Sequence, residues 1–205
     1  MKRIVIRALI VVAATLGIVF AQVAPASATP AKTLESNLAA LWTTVLETPS
    51  AQNPFGTGAD PSLACWDFGG TVAPLAPAGV ESCTVKPGTK LFVTASTWEC
   101  STFPGDHFDF TTDEAGLRAC AVEHDADVAP EVTLDGKSVP ITEVVTPLVD
   151  VVLPADNIFG QPAGSLEGSF VAHGWVALLH PLTPGTHTIV IGGTITTTIE
   201  VTPGH

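Results

Sequence analysis

Tyrosine is absent from the 205 residues, and methionine occurs once. Tyrosine is enriched at protein-binding surfaces, so its absence counts against a tyrosine-lined recognition face. Basic residues are scarce too: eight Lys and Arg stand against twenty Asp and Glu. A chain with that balance repels phosphate backbones and anionic lipid, which excludes nucleic acid and acidic membrane as expected partners. No C-x-x-C pair occurs, so zinc-ribbon and thioredoxin-like readings lose support. The G-x-S-x-G elbow of hydrolases and the H-E-x-x-H pair of zinc proteases are also missing. So are EF-hand spacing, any fixed-period repeat and any low-complexity tract.

What is present begins with a targeting segment. Lys2, Arg3 and Arg7 form a positive start, an apolar run follows from Ala8 to Phe20, and Ala26-Ser27-Ala28 supplies a small-x-small cleavage pattern. This reads as a secretory signal peptide over residues 1–28, with the mature chain starting at Thr29. The apolar run has 13 residues, short of the ~20 that span a bilayer. No cysteine follows it, and Leu153-Pro154-Ala155-Asp156-Asn157 lacks the Thr-Gly of a sorting signal. The expectation is a secreted, extracellular protein with no membrane anchor. Removing 28 residues leaves 177, enough for one domain with a real core. Five basic residues then face twenty acids, a formal charge of −15. That charge keeps an exported protein soluble and draws cations or basic partners.

Four cysteines remain, Cys65, Cys83, Cys100 and Cys120. An even count in an exported chain reads as two disulfides, for which three pairings are possible. The sequential pairing is expected. Each bridge would then close a loop of roughly 20 residues, stabilising by ~3 kcal/mol on the chain-entropy model.

The mature chain opens with an amphipathic helix: in KTLESNLAALWTTVLE the apolar residues Leu34, Leu38, Leu41, Trp42, Val45 and Leu46 recur at steps of three and four. Thr48-Pro49 ends it. From Leu63 onward the period falls to two. Lys86-Pro87-Gly88-Thr89 fits a type II turn. Leu134-Asp135-Gly136-Lys137 is an Asp-Gly hairpin signal, and Pro184-Gly185 marks another turn. In the last strand Ile195, Thr197, Ile199 and Val201 share one face. SFVAHGWVALL and the stretch around VVTPLVDVVL read as more central strands. One short helix interrupts them. Thr111 is its expected N-cap, with Glu114 completing a capping box. Leu117, Cys120, Ala121 and His124 fall on one helix face. The fold expected is mainly β: an antiparallel β-sandwich, Ig-like or jelly-roll-like, of roughly eight strands. Residues 29–62 form the N-terminal helix and loop, and residues 63–205 the sandwich.

Candidate chemistry concentrates between Glu99 and Asp135, which hold ten of the twenty acids. Asp106, His107 and Asp109, in the loop between Cys100 and Cys120, could offer oxygen and nitrogen ligands to Ca²⁺; no other cofactor is expected. His124, Asp125 and Asp127 form a second group. His173 and His187 lie on apolar strand faces and read as satisfied core histidines, while His180 stands at a strand end and His205 near the C-terminus. Trp66, Trp98 and Trp175 could form an aromatic platform for a sugar, but their neighbours point to the core.

The segments VKPGTKLFVTASTWECS, LRACA, VTLDGKSV, LPADNIFG and GWVALLHPLTPGTHTIVIGG together resemble a family of uncharacterised secreted bacterial β-sandwich proteins with four cysteines and a late PGTHT segment. The likeness runs from about Cys65 to Val201. Gly174-Trp175-Val176 and Pro184-Gly185-Thr186-His187 match that pattern, while Val190 stands where relatives carry a second histidine. The resemblance implies fold, export and disulfides, and no activity. The expected function is a non-catalytic binding or accessory protein for an extracellular ligand. The alternative is a secreted metal-dependent hydrolase using the acidic region around His107 and His124.

Overall fold

A computed structural model describes residues 29–55, 65–75, 82–103, 113–125, 127–162 and 166–203. The expected helix forms as α1 (Ala31–Leu46), and its buried residues are Leu34, Leu38, Leu41, Val45 and Leu46. Each such side chain contributes roughly 1.5–3 kcal/mol on leaving water. The buried Asn53 closes the helix end, its Nδ2 donating to the Val45 carbonyl at 2.5 Å.

The first sheet contains β1 (Cys65–Asp67), β2 (Thr71–Pro74), β4 (Lys90–Ser101), β7 (Thr142–Val145), β8 (Val149–Val152) and β9 (Glu167–Leu179). Its order is β1-β2-β4-β9-β7, with β8 also paired to β9. The second sheet runs β3-β11-β10-β5-β6, from β3 (Ser82–Val85), β5 (Val132–Leu134), β6 (Lys137–Ser138), β10 (Gly185–Ile191) and β11 (Ile195–Val201). This is a β-sandwich of eleven described strands rather than about eight. Thr146-Pro147 breaks one expected strand into β7 and β8, because proline cannot donate to a ladder. Nor is it wholly antiparallel: β2 with β4 and β3 with β11 run parallel. The Lys86–Thr89 turn explains part of this, since it carries the chain from β3 in one sheet to β4 in the other. The Asp-Gly hairpin forms as expected, with φ of 51° at Asp135 and 73° at Gly136.

Two apolar layers result. Phe92, Phe170, Ala172 and Val176 of the first sheet pack under α1. Leu91 and Val93 face Val85, Val132, Ile189 and Ile199 of the second sheet. The N-terminal helix therefore shares the sandwich core. A third cluster joins Cys100 and Val171 to Leu117, Cys120 and Ala121 of α2 (Glu114–His124). The N-cap of α2 is Asp113, which accepts from the Gly116 amide at 2.8 Å; Thr111, the expected cap, lies outside the described residues. Glu114 instead pairs with Arg118 at 3.0 Å.

Both disulfides have the sequential pairing. Cys65–Cys83 joins β1 to β3 across the two sheets, with Cα atoms 5.1 Å apart; Cys100–Cys120 joins β4 to α2, at 6.0 Å. Both separations lie in the normal range for a bridge.

Candidate functional site

The densest polar grouping among the described residues forms where α2 ends over the first sheet. Its origin is a β-bulge in β4. Thr94 pairs with Val176, but Ser96 pairs with Trp175, so Ala95 is an extra residue. An extra residue turns every later side chain to the opposite face. Ser96, Trp98 and Cys100 therefore join Trp175, His173 and Val171 on the α2 side. Thr97 turns to α1, where its Oγ1 accepts from the Trp42 indole N–H at 3.0 Å and donates to the His173 carbonyl at 2.7 Å. Gly174 lies opposite, where space is tight. A Cβ there would stand 3.1 Å from Thr97 Oγ1 and 3.2 Å from the Ser96 carbonyl oxygen.

His173 occupies the centre, its side chain 2% exposed. Its Nδ1 lies 2.7 Å from Asp125 Oδ2, and its Nε2 lies 3.0 Å from Glu143 Oε1. Asp125 is equally buried, at 1%, whereas Glu143 is 53% exposed. Each ring nitrogen therefore has a carboxylate oxygen within hydrogen-bond distance. Ser96 Oγ donates to the other Asp125 oxygen. Sequence spacing hides this cluster, since its four members come from β4, the end of α2, β7 and β9.

The arrangement resembles an acid–histidine–serine triad with its parts in the wrong order. A nucleophilic serine must give its proton to the imidazole. Here the serine bonds the carboxylate, and the imidazole nitrogen it would need faces Glu143. His173 is thus the satisfied core histidine that its apolar strand face predicts. Asp125 is tied to it, and so α2 is fixed to the sheet at its C-terminal end.

The other sequence candidates are dispersed. Asp106, His107, Asp109 and His205 lie outside the described residues. His124 is exposed; its Nδ1 stands 3.0 Å from the Cys120 carbonyl oxygen, and its ring stacks on Trp98 at 5.8 Å. Ligand atoms of Cys100, Cys120 and His124 gather within 4.8 Å, but both sulfurs are joined in the disulfide. That group therefore offers a metal only one imidazole. His187 sits at the sandwich edge. Its Nδ1 donates to Asp135 at 2.8 Å and its Nε2 to the Thr183 carbonyl at 2.9 Å. The Asp135 bond, then the Thr183 bond, raise the His187 pKa; the same histidine, then the Thr188 amide, lower that of Asp135.

Clefts open elsewhere among the described residues. One, of about 290 Å³, is mainly apolar, lined by Leu34, Val139, Pro140, Val176 and Leu178, with His180 among its few polar groups. Another is a shallow acidic groove flanked by Glu47, Asp150 and Glu167. Neither contains the His173 cluster. Of the tryptophans, Trp66 is core as expected, but Trp98 is 39% exposed, which corrects the core reading for that residue. No described helix is long and apolar enough to cross a membrane. Comparison with family models, curated proteins and solved structures finds no match.

Proposed function

We propose that this chain is a secreted, non-catalytic binding or accessory protein, exported by residues 1–28 and held together outside the cell by its two disulfides. The closed hydrogen bonding of His173 carries the reading. The histidine best placed among acids gives both nitrogens to carboxylates, and the nearby hydroxyl of Ser96 is turned to Asp125. Catalytic histidines need a nitrogen facing substrate or nucleophile, and burial at 2% leaves no room for either. Two disulfides suit an oxidising compartment. The likeness to secreted four-cysteine bacterial proteins points the same way. The metal-hydrolase alternative needs His124 directed at acids, but its ring meets the Cys120 carbonyl and Trp98.

The test is a turnover screen of the oxidised chain from Thr29 to His205. Chromogenic esters, phosphate esters and glycosides would be incubated with EDTA, then with millimolar Ca²⁺, Zn²⁺ or Mn²⁺. No release above the buffer rate is expected. Release that the His173→Gln variant abolishes would overturn the reading, and so would release that appears only with one metal.

A further inference from the structure

Strand register places two rows of side chains on the face of the first sheet that meets α2. Ser96, Trp175 and Glu143 lie side by side across β4, β9 and β7; Trp98, His173 and Val145 form the next row. Directly opposite residues stand ~5 Å apart and diagonal ones ~7–8 Å. Trp175 is thus the direct neighbour of Glu143 and the diagonal neighbour of Trp98. All three are accessible: Trp98 is 39% exposed, the Glu143 side chain 53%, and Trp175 is half-buried. Among the described residues Trp66 and Trp42 pack into the apolar core, whereas Trp98 and Trp175 belong to none of its three clusters. Their orientation is nevertheless fixed. Trp98 stacks on the His124 ring with planes 20° apart, and His173 meets Trp175 edge-on at 6.3 Å.

We infer that this face binds a small organic cation, an alkylated ammonium group seated on Trp98 and Trp175 with Glu143 as its counter-charge. The inference rests on the binding reading above and names its ligand class. An indole presents a negative face, and a cation within about 6 Å of the ring is attracted to it. The two rows contain no Lys or Arg. The chain carries twenty acids against eight basic residues, a field that concentrates cations and repels anions. An alkylated ammonium suits the site better than a metal ion, which would want several oxygen ligands where the face offers mostly aromatic carbon.

The experiment titrates choline into the oxidised chain from Thr29 to His205, following the four indole N–H signals by NMR. The control is 3,3-dimethylbutan-1-ol, which has the same shape and no charge. Cellohexaose serves as a neutral sugar probe. Choline should shift the Trp98 and Trp175 signals and leave Trp42 and Trp66 unmoved. It should bind roughly tenfold tighter than the uncharged isostere, and more weakly at high salt. Trp98→Ala and Glu143→Gln should each weaken it several-fold. Equal binding of choline and the alcohol would overturn the cation assignment. So would cellohexaose moving the two indoles while choline does not, or no response to 50 mM choline. If Trp98→Ala fails to fold, the wild-type titration with its isostere control still decides. These failures change the ligand class and leave the turnover screen untouched; catalytic turnover would remove the binding reading itself.

Discussion

Asp135 and His187 form the one described ion pair whose pH dependence can be signed from both partners. The Asp135 pKa is lowered, so its contribution is full above its unfolded value near 4 and is lost as pH falls through the folded value. The His187 pKa is raised, so its contribution is full below its unfolded value near 6.5 and is lost as pH rises through the folded value. The pair therefore stabilises most between about pH 4 and 6.5. Asparagine also tolerates the positive φ of this turn position. Asp135→Asn should consequently lose at most about 1 kcal/mol at pH 5, since the carboxylate is 46% exposed. The loss should shrink above pH 8. Urea unfolding at the two pH values checks this; an equal loss at both would contradict it. The apolar strand face that His187 shares with Ile189 suggests a core histidine, but the ring sits at the sandwich edge against Asp135. Asp135 was legible only as a turn residue, since nothing in the spacing sets a carboxylate 52 residues away against that ring. The same holds for Ser96 and Trp98. Strict alternation puts both on the α1 face, and only the extra residue at Ala95 turns them to the other.

Helix α2 is capped at its start by Asp113 and fixed to the first sheet at two points: the Cys120 disulfide in its middle and Asp125 at its end. Its existence followed from sequence, through Leu117, Cys120 and Ala121 at helical spacing. Its cap did not, because Asp113 and Thr111 are both good N-cap residues and only geometry chooses. Asp113→Ala should cost about 1 kcal/mol, while Thr111→Ala stays within ~0.5 kcal/mol; thermal melts of the two variants separate them. Removing the Cys100–Cys120 bridge as a double alanine variant should cost about 3 kcal/mol. Because the bridge sits in the cluster beneath α2, hydrogen exchange should speed up in residues 114–124 before the second sheet responds. Uniform loss of protection in both sheets would contradict that order. Strands with clean alternation, such as β11, were equally legible. Parallel pairing was not, because hydrophobic period carries no information on strand direction.

At the scale of the molecule, α1 and the second sheet cover opposite faces of one central sheet. The polar cluster lies between the apolar layer of the two sheets and the smaller one under α2. The export reading predicts that the chain in a culture supernatant begins at Thr29 and is lighter by four hydrogens than the reduced chain; intact mass measurement checks both. Length and charge bounded the class of molecule, but the site required contacts spanning 30 and 48 residues. Asp125 and His173 form a structural tie between α2 and the sheet. The most direct measurement is equilibrium unfolding of the wild type, Asp125→Leu, His173→Leu and the double variant. Each single change strands a buried partner and should cost about 3–5 kcal/mol. The double variant should be far less damaged than the two costs together, since no buried partner of the pair is left stranded. If His173→Leu matches or exceeds the wild type in stability, the account is contradicted: that is the behaviour of a group kept for activity at the expense of stability.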